Sequence, residues 1–138
     1  MGAAVTLTSL SALYSATSGP DWTNKLNWMD GYPCTNSWYG VTCSGAETTK
    51  VSLYNEGLSG TLPTQLGLLS GNSDFVYFSV GYDPVSGTFP SELASLSELT
   101  RLTANLELTG TIPTEVGRFA DVQRFMLHKN EMTGRVPR

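Results

Sequence analysis

Apolar residues along the chain fall into a recurring phrase. Leu58-Ser-Gly-Thr-Leu-Pro63, Val85-Ser-Gly-Thr-Phe-Pro90, Leu108-Thr-Gly-Thr-Ile-Pro113 and Met132-Thr-Gly-Arg-Val-Pro137 share one order of apolar, hydroxyl, glycine and proline positions. Their prolines step by 27, 23 and 24 residues. Ahead of each phrase, apolar and polar residues alternate: Val51 and Leu53; Phe75, Phe78 and Val80; Leu99, Leu102 and Ala104; Val122, Phe125 and Leu127. Alternation with period two predicts short parallel strands at about 50–54, 76–80, 101–104 and 124–128. A unit of about 24 residues cannot bury its apolar side alone, so the units must stack. The pattern predicts a solenoid of about four coils, one strand per coil. Apolar strand members point inward, and the residues between them face out on a concave sheet.

Residues 7–43 follow a different pattern. Leu7, Leu10, Leu13 and Tyr14 recur at helical spacing, with Ser9 or Ser11 as the expected start cap. Ser18-Gly19-Pro20 ends the helix, because proline cannot continue it. An aromatic segment follows, with Trp22, Leu26, Trp28, Trp38 and Val41 between and around two cysteines. The first coil of a solenoid would otherwise expose its apolar edge, so these residues read as a packed cap. The chain divides into a cap over residues 1–46 and repeats over 47–138, one continuous domain. Cys34 and Cys43 have eight residues between them, and the single histidine, His128, lies far away. That set is too small for a metal site, so a disulfide closing a short loop is expected, and with it an oxidising compartment. Residues 1–5 lack the basic start of a signal peptide, so a mature segment with a new start methionine is expected; the alternative is an intracellular protein.

Leu10-Ser-Ala-Leu-Tyr14, Gly19-Pro-Asp-Trp22, Asn27-Trp-Met29 and Cys34-Thr-Asn-Ser-Trp-Tyr-Gly-Val-Thr-Cys43 closely resemble the N-terminal cap of plant-type leucine-rich repeat proteins. The repeats are similar to those of the same family, so the resemblance covers about residues 7–137. It implies a right-handed α/β solenoid with a parallel concave sheet and a helical, disulfide-stapled cap. It also implies an extracellular recognition module. The family pattern runs Leu-x-x-Leu-x-Leu-x-x-Asn-x-Leu-x-Gly-x-Ile-Pro, and Val122, Phe125, Leu127, Asn130, Met132, Gly134, Val136 and Pro137 fit it best. In family members the Asn side chain bonds backbone groups of neighbouring coils. Here that place holds Glu56, Asp83 and Asn130, while a third repeat one residue short puts Asn105 out of phase. The ladder is therefore expected to be partly built. Three extra residues, Gly71-Asn72-Ser73, read as a turn-rich bulge in a convex loop. The Ser/Thr-Gly-Thr element resembles the family's outer strand and is expected to stack Thr61, Thr88 and Thr111 at one position, ending at Arg135.

Charge sharpens the functional expectation. The 138 residues carry 8 basic and 12 acidic side chains, a net charge of -4, which argues against nucleic-acid binding. No apolar run is long enough to predict membrane insertion. Outward strand positions hold Lys50, Ser52 and Tyr54; Tyr77, Ser79 and Tyr82; Arg101 and Thr103; and Arg124, Met126, His128 and Lys129. Four of the eight basic residues (Lys50, Arg101, Arg124, Lys129) thus share one face, whereas Glu92, Glu98, Glu115 and Asp121 fall in convex segments. Lys50, Tyr54, Tyr77, Tyr82, Arg101, Arg124, Met126, His128 and Lys129 form the predicted binding site for a protein, peptide or glycan of acidic character, since aromatic and arginine side chains make effective contact surfaces. His128 has no nucleophile or paired carboxylate in matching phase, so it reads as a contact residue; no catalysis, metal or cofactor is expected. Two other classes follow from other features. Phe125, Leu127, Met132 and Val136 on the last coil suggest self-association, and the threonine row suggests contact with ice.

Overall fold

The computed structural model describes residues 2–72, 74–96, 98–111, 113–114 and 124–126. Helix α1 (Gly2–Ala16) leads into a one-turn 3-10 segment (Gly19–Asp21), and strands β1 (Val41–Ser44) and β2 (Glu47–Tyr54) follow. The first two coils each bring an inner strand, an outer strand and a convex 3-10 segment. The inner strands are β2, β4 (Tyr77–Gly81), β6 (Arg101–Asn105) and β7 (Arg124–Met126). The outer strands are β3 (Gly60–Thr61) and β5 (Val85–Ser86), and the 3-10 segments are Thr64–Gly71 and Ser91–Ser95.

The inner sheet has the order β1-β2-β4-β6-β7. From β2 onward all pairing is parallel and in phase, with Lys50 beside Tyr77, Arg101 and Arg124 in one row. All four inner strands predicted from the alternating pattern are present. One strand was not anticipated: β1 pairs antiparallel with β2, so the end of the cap becomes the first strand of the sheet. That hairpin draws β2 back to Glu47, ahead of the expected start at 50.

Val51, Leu53, Phe78, Val80, Leu102 and Ala104 point from these strands into the core and are buried. Leu66, Leu69, Leu93 and Leu96 meet them from the convex segments. The cap joins the same core. Trp22, Trp28 and Trp38 are buried and pack in sequence, edge-on then tilted, their ring centroids 4.8 and 4.9 Å apart, with Tyr14 stacked 6.0 Å from Trp28. Each indole N–H donates to a carbonyl: Trp22 to Thr17, Trp28 to Tyr39 and Trp38 to Asp30, at 2.8–2.9 Å. An indole can be buried at low cost only when its N–H is satisfied in this way. The Cys34–Cys43 disulfide is formed, with the Cα atoms 5.8 Å apart.

Three expectations are corrected. Helix α1 begins at Gly2, so Ser9 and Ser11 lie inside it; Ser9 is buried on the core side next to Leu10. Ser9 sits in phase with the apolar stripe, which therefore extends further toward the start than its hydrophobic members show. The insertion after Gly71 is not a free bulge. Asn72 is buried, and its amide donates to Thr48 O at 2.7 Å, tying the loop to β2. The threonines do not align directly: Thr61 pairs with Ser86, and Thr88 pairs with Thr109. The outer strands thus slip by two residues in one coil and three in the next, while the inner ones stay in phase. Gly87 and Gly110 lie at φ +81° and +82°, and a Cβ at either would sit only 3.1 or 3.2 Å from the methyl of the preceding Thr61 or Thr88. Each threonine methyl rests on the next coil's glycine.

Candidate binding site on the concave sheet

The row at the leading ends of the strands brings Lys50, Tyr77 and Arg101 together. Tyr77 and Arg101 are half-buried and Lys50 is exposed. Lys50 Nζ lies 5.7 Å from the Tyr77 ring centroid, and Arg101 Cζ lies 5.0 Å from it on the neighbouring strand. Arg101 Nη1 also donates to the Tyr77 hydroxyl at 3.0 Å. A cation over a tyrosine face is drawn to the negative ring quadrupole, which limits its rotamers. Arg124 continues the same backbone row and Met126 the next one. His128 and Lys129 lie outside the described residues, as do Leu127, Met132 and Val136 of the suggested self-association edge.

The trailing ends are aromatic. The Tyr54 and Tyr82 rings are 5.8 Å apart and tilted by 43°. Tyr82 stands one residue past β4 at φ 59°, and it is exposed. Ser79 and Thr103, expected to face outward, are buried. The Tyr54 hydroxyl shares a hydrogen bond with the Ser79 hydroxyl, so the tyrosine lies over the serine. Period two sets which side of the sheet a residue takes. It does not set whether a larger neighbour covers it.

Just past the strands stands a feature that the family pattern only half reveals. In the observed register Tyr54, Gly81 and Asn105 are partners, so the residues two further on are Glu56, Asp83 and Glu107. The place of the ladder asparagine is therefore acidic in three successive coils. Glu56 accepts from the Tyr39 hydroxyl at 3.1 Å and from Asn24 N at 3.0 Å. The Tyr39 hydroxyl is held above its usual 10.0 by that hydrogen bond, then by the charge of Glu56 and by burial. Asp83, 6% exposed, accepts from Gly57 N at 2.7 Å through Oδ1, while its buried Oδ2 has no hydrogen-bond partner among the described residues. Burial raises its carboxyl above the ordinary 3.8, and Glu56 adds to this, against the backbone N–H groups of Gly57, Glu56 and Leu58. A carboxylate supplies the acceptor half of the asparagine ladder and cannot supply the donor half. Glu107 occupies the third such place but is exposed, and the matching donor position in the preceding coil is Pro84, which has no N–H, so the ladder is not continued there.

On the other side of the coils, the outer strands border a groove of about 870 Å3 lined by Thr61, Thr88, Thr111, Pro90 and Glu92. Ser86 and Thr109 spend their hydroxyls on the preceding coil, donating to Gly60 O and Gly87 O at 3.3 Å. Among the described residues no three His, Cys, Asp or Glu side chains converge as a metal site, and no helix is long and apolar enough to cross a membrane.

No family model matches the chain. The LRR receptor-like serine/threonine-protein kinase GSO2 of Arabidopsis thaliana is 30% identical over 100 residues, 70% of this chain. The chain spans only 8% of that kinase's length. Among solved structures, PEPR1-AtPEP1 superposes with a TM-score of 0.77 at 22% identity, over 96% of this chain and 19% of that one. The LRR ectodomain of the receptor kinase SOBIR1 from Arabidopsis thaliana follows with a TM-score of 0.73 at 17% identity, over 98% of this chain and 72% of that one. With a tryptophan-lined cap, in-phase inner strands and an outer strand built on Ser/Thr-Gly-Thr, the chain belongs to the plant-type leucine-rich repeat proteins.

Proposed function

We propose that the chain is a non-catalytic recognition module that holds a protein or peptide on its concave sheet, outside the cell. The observation that carries this reading is the Lys50–Tyr77–Arg101 row, a basic-aromatic surface on a chain of net charge -4. Tyr54 and Tyr82 extend it across the sheet, and Arg124, Met126, His128 and Lys129 continue it along the chain. The relative is a receptor-like kinase and one neighbour is a receptor kinase ectodomain, which fits recognition at a cell surface. The disulfide fits an oxidising compartment. Arginine and tyrosine bury much area per rotamer lost, so this face suits a ligand held by a few strong contacts.

The test is affinity capture from extracellular extract with the wild type beside a Lys50→Glu/Arg101→Glu variant of matching melting temperature. A partner retained by the wild type alone is expected. A partner held equally by both overturns the concave reading, and a protease-resistant partner reassigns the ligand to a glycan.

A further inference from the structure

The two tyrosines at the trailing end of the concave sheet come from adjacent coils, yet their rings meet. The Tyr54 and Tyr82 centroids are 5.8 Å apart, which is contact distance for an aromatic pair. Three features bring this about. Gly81, the register partner of Tyr54, has no side chain to part the two rings. The Tyr54 hydroxyl is tied to the Ser79 hydroxyl, which fixes that phenol over the strand. Tyr82 takes φ 59°, a left-handed backbone that bulky side chains rarely adopt. Asn55, at the same place one coil earlier, has φ 53°, and asparagine tolerates that conformation. A tyrosine there costs backbone energy and sets a 53% exposed phenol beside a half-buried one.

Phenols in contact can be joined by oxidation. Each loses one electron and its hydroxyl proton and becomes a phenoxyl radical, whose unpaired spin is shared between the oxygen and the ring carbons ortho and para to it. Coupling of two ortho carbons forms one C–C bond, and the hydrogen on each carbon then moves to the oxygen as the rings regain aromaticity. The net loss is two protons and two electrons, which hydrogen peroxide takes up to give two waters. A compartment that keeps the Cys34–Cys43 disulfide oxidised suits such chemistry. The other tyrosines are placed differently. Tyr14 packs against Trp22 and Trp28, the Tyr39 hydroxyl donates to Glu56, and the Tyr77 hydroxyl accepts from Arg101. Tyr32 is exposed on the cap. We infer that Tyr54 and Tyr82 form an oxidative cross-linking site, at which a peroxide-driven one-electron oxidant joins the first two coils through a dityrosine bond. The bond staples the aromatic end of the concave sheet. It stands apart from the recognition reading, because it needs only the two rings and an oxidant.

The experiment treats the full chain, dilute, with hydrogen peroxide and a haem peroxidase. A monomer lighter by two hydrogen atoms, with the blue fluorescence of a biphenol, is expected. Cleavage after glutamate should leave residues 48–56 joined to residues 57–92, and fragmentation in the mass spectrometer should put the bond on Tyr82 rather than Tyr77. Tyr82→Phe removes one exposed hydroxyl and should abolish the product, as should Tyr54→Phe. Tyr32→Phe should leave the yield unchanged. In urea the yield should fall about tenfold, because the folded register and not chain proximity brings the rings together. The linked chain should unfold at a higher urea midpoint than the untreated chain. No linked monomer, dimers in its place, a bond to Tyr77 or Tyr32, or a product that survives Tyr82→Phe overturns the site. None of these results decides whether Lys50 and Arg101 hold a partner, which the capture experiment reads separately.

Discussion

Asp83 shows what one atom changes in a repeat. Where an asparagine would both accept and donate, the carboxylate only accepts, and its buried Oδ2 has no partner among the described residues. Its raised pKa sets the sign of the pH dependence: the folded chain binds this proton more tightly than the unfolded one. Stability from this group is therefore greatest at low pH and declines as pH rises from the unfolded value near 3.8 through the higher folded value. Asp83→Asn should raise stability at neutral pH, and the gain should shrink toward pH 4, as measured by urea unfolding at several pH values. Asp83→Ala should act oppositely. It strands the Gly57 N–H and should cost about 1–3 kcal/mol. Gly87→Ala puts a Cβ on a residue at positive φ and presses it on the Thr61 methyl, so a loss of about 1–2 kcal/mol is expected in the same assay. At this scale the sequence was partly legible. It showed an acid where asparagine belongs, but the orphaned oxygen depends on burial, which no spacing reports.

Elements were more legible than their joints. The inner strands follow from alternation, because one side is buried and a slip of one residue would turn every apolar side chain to water. The joints depend on contacts between coils: Asn72 reaching Thr48, Tyr54 covering Ser79, and threonine methyls seated on glycines. None of these leaves a periodic trace. The binding row was legible as a set of outward positions, whereas the shared Tyr77 ring required the observed register. The cap loop closed by Cys34 and Cys43 gives its own prediction. Opening it as a Cys34→Ser/Cys43→Ser pair should cost about 3 kcal/mol by loop-closure entropy, read from denaturant midpoints. Hydrogen exchange should rise first at the amide of Trp38, which lies within that loop, and at Trp28, whose ring packs against it.

For the whole molecule, the decisive fact is that cap and coils share one core. Leu10, Leu13 and Trp38 belong to the same buried cluster as Val51, Val80 and Leu102. All three tryptophans lie in the cap, at 22, 28 and 38, whereas the sheet extends through the coils. Tryptophan fluorescence and far-ultraviolet circular dichroism should therefore report coincident unfolding transitions. An earlier fluorescence transition would mean that the cap detaches as its own unit. Near-neighbour coupling of this kind is what allows a short stack to hold without a closed barrel or sandwich.

The slip of the outer strands has a geometric consequence. Lys50, Tyr77 and Arg101 stay level on the inner side, while Thr61 meets Ser86 and Thr88 meets Thr109 on the outer side. Measured against the inner register, the outer pairing falls short by two residues in one coil (27 against 25) and three in the next (24 against 21), roughly 7–10 Å of strand, so the outer edge runs askew to the rows of the inner sheet. Rows that run level across the inner sheet do not continue level across the outer strands, so the two faces of each coil offer differently spaced footholds.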